Sequence, residues 1–187
     1  MKKFLLFFVF MFLIPSCLFS QTADNTSILK LFLSKYYSNE KVIVKNRLQL
    51  LSLYCNKAPN TEEILEVISK NDFLKKNAVS IKQQINPSIN ENWHEEISQL
   101  FNNQNQYLKS KVQNCLSLEE FQESTKKYGE NNQRLMIINK PIYFAENYCL
   151  VKVAIFRTIE HNSGTFFLLK KTNSNWQIEE IVYSWET

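Results

Sequence analysis

The apolar positions follow a helical period in the first two thirds of the chain and a strand period in the last third. Ile28, Leu31, Phe32, Lys35 and Tyr36 recur at the i, i+3, i+4, i+7, i+8 spacing of one helix face within residues 24–39. A second stripe, Val44, Leu48, Leu51 and Tyr54 or Cys55, predicts another helix over 41–56. Asn60 and Glu63 have the spacing of a capping box ahead of Ile64, Leu65, Val67 and Ile68. That helix should falter near Asn71-Asp72, where Asp72 is placed to cap a further turn. Asn86-Pro87-Ser88 marks a loop, after which Trp93, Ile97, Leu100 and Phe101 form the next stripe. Leu108, Val112 and Cys115 or Leu116 resume it beyond a polar tract at 102–106. Ser117 with Glu120 makes a second capping box, and Gly129 fits the left-handed position that ends a helix.

From Leu135 the period becomes two. Residues 135–144, 148–158, 165–172 and 175–185 are rich in β-branched and aromatic side chains and are separated by short turns. Short links predict antiparallel hairpins, hence a four-stranded meander. Pro141 cannot donate to a ladder, so the first strand should lie at an edge or be bent. The expected fold is α+β, with helices over about 25–130 packed on a sheet over about 134–186. Pairing Glu160 with Thr165 and Thr172 with Asn175 groups Cys149, Val151, Val153, Ile155 and Arg157 with Phe166, Leu168, Glu179, Ile181, Tyr183 and Trp185. Both resulting faces are largely apolar, which predicts a sheet covered on both sides or curled around an interior. A slip of one residue would exchange the faces.

The first twenty residues read differently. Lys2 and Lys3 precede the eleven-residue apolar run Phe4–Ile14, then Pro15 and a small residue, Ser20, before Gln21. Charge, apolar core and small residue in that order are those of a secretory signal peptide, too short for the ~20 residues of a membrane span. A rival cut is open at Cys17, where Ile14-Pro15-Ser16-Cys17 loosely matches a lipobox and would leave Cys17 acylated. Either cut sends the protein out of the cytoplasm, to the periplasm or beyond, or to the envelope on a lipid anchor. Cutting after Ser20 leaves residues 21–187 as one α+β domain with no transmembrane helix expected.

Composition then removes function classes. Without Lys2 and Lys3 the 22 basic side chains fall to 20 against 18 acidic, a net charge of +2, too weak a field for nucleic acid. With only Gly129 and Gly164 as glycines, the chain has no phosphate-cradling loop, so a P-loop or dinucleotide fingerprint is excluded. Two distant histidines, His94 and His161, and no C-x-x-C or H-E-x-x-H give no metal motif; Glu91, His94 and Glu95 could share a helix face, as a solvated polar surface would. No serine sits in a nucleophile elbow, and no cofactor is implied. Cys55, Cys115 and Cys149 remain after the leader, an odd number whose pairing the spacing leaves open.

Arg157 and Glu179, one strand apart through Leu168 in the supposed register, are the candidate polar floor of an apolar pocket near Tyr183 and Trp185. A rim ion pair is the other reading of the same two residues.

The segments Lys140-Pro141-Ile142-Tyr143, Tyr148-Cys149-Leu150-Val151, Phe167-Leu168-Leu169-Lys170-Lys171, Asn175-Trp176-Gln177-Ile178 and Ser184-Trp185 resemble the C-terminal part of small exported proteins of Bacteroidetes-type bacteria. Leu18-Phe19-Ser20-Gln21 is similar to the end of their leaders. More loosely, helices followed by a curved meander resemble NTF2-like domains, which hold small molecules, act as interaction modules or catalyse. These resemblances imply compartment and fold and transfer no active site. The expected function is a non-catalytic binding or interaction module of the periplasm or envelope, its partner an unidentified small molecule or envelope protein. The alternative is an NTF2-like enzyme or carrier for a small hydrophobic molecule, which requires Glu179 to face an enclosed cavity.

Overall fold

The computed structural model describes residues 21–44, 46–49, 51–57, 59, 61–85, 90–102, 105–112, 115–128, 133–157 and 162–187. The leader with Cys17, Asn60, the loop at 86–88, Gly129 and His161 lie outside the described residues. Among those that are described, no helix is long and apolar enough to cross a membrane.

Helix α1 (21–37) buries Ile28, Leu29, Phe32, Leu33 and Tyr37 almost completely. Its inward stripe is therefore turned slightly from the expected one, leaving Leu31 and Tyr36 at the margin of the same core. Next come the short strands β1 (Ile43–Val44) and β2 (Arg47–Leu48), turned at Asn46 with φ of 59°, a conformation asparagine tolerates. Strand β3 (Leu51–Tyr54) follows. The helix expected over 41–56 is thus a run of strands. A fully covered strand reads as a near-continuous apolar run, and over so few residues such a run fits either period.

Helices α2 (Thr61–Lys70), α3 (Asp72–Lys76) and α4 (Ala78–Gln84) form the next unit. The break falls where expected, but the cap of α3 is Asn71, whose side-chain oxygen accepts from Leu74 N at 3.1 Å. Helices α5 (His94–Phe101) and α6 (Gln106–Lys109) lead to the two-residue strand β4 (Cys115–Leu116), where the periodicity predicts more helix. The capping box of α7 (Leu118–Tyr128) forms as expected: Glu120 N donates to Ser117 Oγ at 3.2 Å, and Ser117 N to Glu120 Oε2 at 2.8 Å.

Strands β5 (Arg134–Ile138), β6 (Ile142–Phe144), β7 (Tyr148–Phe156), β8 (Ser163–Thr172) and β9 (Asn175–Glu186) complete the main sheet. Its order is β4-β3-β5-β7-β8-β9, with β6 also paired to β7. The sheet is therefore not the expected four-stranded antiparallel meander but a seven-stranded mixed sheet, because β3 pairs in parallel with both β4 and β5. Pro141 breaks the first meander strand into β5 and β6, and the register on β7 shifts by one residue across the break.

Helices cover both faces. Cys149, Val151, Val153, Phe167 and Leu169 pack in the same cluster as α1, α5 and α6. Leu150, Phe166 and Leu168 pack with Ile64, Val67, Leu74 and Ile81 of α2–α4. The supposed register does not hold: Ile155 pairs with Ser163 and Leu150 with Leu168, so β7 is turned over relative to the expected grouping. Thr172 does pair with Asn175, but β9 carries irregularities opposite Phe166/Phe167 and Leu168/Leu169.

Candidate functional site

Where β3 ends, the chain is fastened on two sides. Trp93 N donates to Cys55 O at 2.9 Å and Lys57 N to Glu91 O at 3.0 Å, which ties the strand exit to the entry of α5. On the other side, Lys140 N donates to Lys57 O at 2.7 Å, within the break between β5 and β6. The indole N–H of Trp93 reaches Ile138 O at 3.0 Å, so its buried ring has its polar edge satisfied. Pro141 thus matters to the site: the interrupted strand leaves backbone groups free to receive the β3 exit.

The side chains of Lys57 and Glu96 meet at this junction as an ion pair, with relative exposures of 6% and 4%. Lys57 Nζ also lies 4.6 Å from the centroid of the Trp93 ring. Glu96 Oε1 takes a second bond from Asn25 Nδ2 at 3.2 Å, and Tyr143 OH donates to Asn25 Oδ1 at 2.7 Å. Burial, reinforced by Cys149, Asp24 and Glu96, pushes the Tyr143 hydroxyl far above the ordinary phenol range, so it stays a donor. Next to Asn25 on α1, Asp24 accepts from Lys171 Nζ at 2.6 Å and Trp176 Nε1 at 3.0 Å. These bonds fix the α1 residues that hold Glu96.

One atom of this network is unanswered. Glu96 Oε2 is shielded from solvent and finds no hydrogen-bond partner among the described residues. Leaving such a group unmade costs about 1–3 kcal/mol, more when it is charged. Lys57 and Glu96 lie in the wall of an open cleft of about 360 Å³ that Asn25, Glu91, Glu95 and Lys140 also line. Lys140 and Glu91 form a second, more exposed ion pair there at 2.5 Å. The cleft therefore offers fixed charges of both signs, with the unanswered Glu96 oxygen buried in its wall.

Directly beside it, Cys55 and Cys115 form a disulfide with Cα atoms 4.9 Å apart, settling the pairing that the spacing left open. The bond joins β3 to β4. His94, the first residue of α5, has Nδ1 3.3 Å from Cys115 Sγ. Cys149 is a free, buried thiol whose pKa burial pushes well above its usual value.

The four pocket residues expected from sequence are not assembled as one floor. Arg157 follows β7 on the α1 side, where its guanidinium is lowered in pKa by burial and by Arg134, and its Nε is buried without a partner among the described residues. Glu179 has a half-exposed side chain 3.8 Å from Lys170 and does not face an enclosed cavity. Tyr183 packs on Phe166 on the opposite sheet face, under Lys70 Nζ at 4.7 Å. Trp185 pairs with Gly164 and lies 5.9 Å from Lys152 Nζ. The odd register slip separates Arg157 from Tyr183.

Lys57 and Glu96 were missed, although α5 carried a signal. Glu96 stands three residues after Trp93 and four before Leu100, a charge on the inward stripe. No family model matches this chain, and no curated protein or solved structure does either.

Proposed function

We propose that this chain is an exported, non-catalytic binding module of the periplasm or envelope that holds a small polar molecule in the Lys57–Glu96 cleft. The observation that carries the reading is the buried Glu96 Oε2 without a donor. Its sister oxygen is already engaged by Lys57 and Asn25, so a ligand N–H or O–H that reaches Oε2 through a small displacement of the cleft wall would complete its bonding. Lys140 and Glu91 at the same cleft give a ligand of mixed charge a partner for each sign. Export is supported by the leader pattern and by the Cys55–Cys115 disulfide, since disulfides persist in oxidising compartments.

The test is the native mass spectrum of the protein exported by its own leader. The reading expects an added mass that leaves on denaturation and is absent from a Glu96→Gln variant whose near-ultraviolet dichroism matches the wild type. A bare mass for the wild type overturns it and turns attention to docking of an envelope protein. The rival reading, an enzyme or carrier for a small hydrophobic molecule, draws no support from Arg157 and Tyr183, which lie on opposite faces of the sheet, or from the half-exposed Glu179.

A further inference from the structure

We propose that Cys55, Cys115 and His94 form a zinc-class cation site when the disulfide is reduced, giving this locus a second, redox-controlled ligand. This goes beyond the cleft and does not depend on it. The three donor atoms lie within 4.8 Å of one another, though they come from the end of β3, the start of β4 and the start of α5. Two donors sharing a tetrahedral zinc stand about 3.6–3.8 Å apart, as follows from its bond lengths. His94 Nδ1 and Cys115 Sγ, 3.3 Å apart, are already close to that separation. The sulfurs need only part once their bond is broken.

The backbone that converges on the site does not consist of the disulfide alone. Leu53 pairs with Cys115 in the parallel ladder, Cys55 N donates to Leu116 O at 3.1 Å, and Trp93 N donates to Cys55 O at 2.9 Å. His94 N is held by Asn92 Oδ1 at 3.1 Å. These bonds remain after reduction and keep the three ligands near one another. Two thiolates and an imidazole are soft and borderline donors, suited to zinc and unsuited to calcium or magnesium, which take oxygen. His94 is exposed and both cysteines are partly so, which leaves an entry path and a fourth position for water.

The reduction balances with a dithiol as electron donor. The S–S bond breaks, two electrons and two protons pass to Cys55 and Cys115, and the dithiol becomes a disulfide. Binding of the divalent cation then displaces the two thiol protons to solvent. In the oxidised form the sulfurs carry no thiolate charge, and the site is closed to the metal.

The experiment uses the exported protein reduced with a phosphine under anaerobic conditions and titrated with Co²⁺ as an optical probe for zinc. The expected result is one equivalent bound, with thiolate-to-metal charge transfer in the near ultraviolet and the visible bands of tetrahedral cobalt, all discharged by Zn²⁺. The oxidised protein should give none. His94→Ala should weaken binding by at least about tenfold, while Cys149→Ser leaves the spectrum unchanged. A reduced protein that keeps its circular dichroism but shows no such bands overturns the proposal, as do bands insensitive to His94→Ala. A reduced protein that unfolds and is not refolded by Zn²⁺ overturns it as well.

Discussion

Lys57 stands over the indole of Trp93, its Nζ 4.6 Å from the ring centroid, while the same ammonium pairs with Glu96. The cation is thus enclosed by an aromatic face and a carboxylate, both buried. Within such an enclosure neither charge can be removed alone without leaving the other stranded.

Lys57→Met and Glu96→Leu should each destabilise the fold by about 3–5 kcal/mol, because each leaves one uncompensated buried charge. The double variant should be more stable than either single one, since an apolar pair of similar volume replaces the ion pair. Urea midpoints of the four proteins make the comparison. Additive losses would show that the two side chains act independently.

The disulfide closes a loop across 60 residues of sequence. Chain entropy assigns such a cross-link about 4 kcal/mol, so reduction or Cys55→Ala with Cys115→Ala should lower the unfolding free energy by about that amount. Denaturation with and without phosphine reads it directly. An unchanged midpoint would mean that β4 is unpaired in solution.

Trp185 faces Gly164 across β8 and β9, and a Cβ on Gly164 would lie 2.4 Å from its ring. Gly164→Ala should therefore displace the indole at a cost of about 1–3 kcal/mol, with a shift in tryptophan emission. In a Trp185→Ala background the same substitution should be nearly silent. An equal loss in both backgrounds would place the strain in the backbone instead.

Stability should fall on the alkaline side. Burial raises the Cys149 thiol above its usual value of 9.0, and it raises the Tyr37 and Tyr143 hydroxyls above 10.0. Between the unfolded and folded values the native state binds the extra proton, so this stability is full below the unfolded value and is lost as pH rises. Urea midpoints should begin to drop above about pH 9, and Cys149→Ala should flatten the first part of that decline. A flat profile up to pH 10.5 would contradict the burial of these groups.

The antiparallel pairing of β7, β8 and β9 and the α7 capping box were readable because their signals are local: alternation over eight or more residues, and a cap with its partner three residues on. Strands β3 and β4 were not, because four and two residues in a covered sheet cannot display a period. The sheet faces depended on the link between β7 and β8. A pairing of Glu160 with Thr165 differs by an odd number of residues from Ile155 with Ser163, and an odd difference turns one strand over. The Cys55–Cys115 bond arises from a parallel contact that spacing does not encode. Glu96 was legible in principle, as a charge at an inward position of α5 between Trp93 and Leu100.

The placement of β3 between β5 and β4 also dictates an order of assembly. Strands β7, β8 and β9 are neighbours in both sequence and space, so they close with little loss of chain entropy. Strand β3 must instead find β5 across about 80 residues of chain, and it carries the exit segment with Lys57 and Cys55. Amides of β7–β9 should gain hydrogen-exchange protection early in refolding, and those of β3 and β4 last. The cleft and the sulfur pair then come into being together, in the final step, when the most distant strand docks.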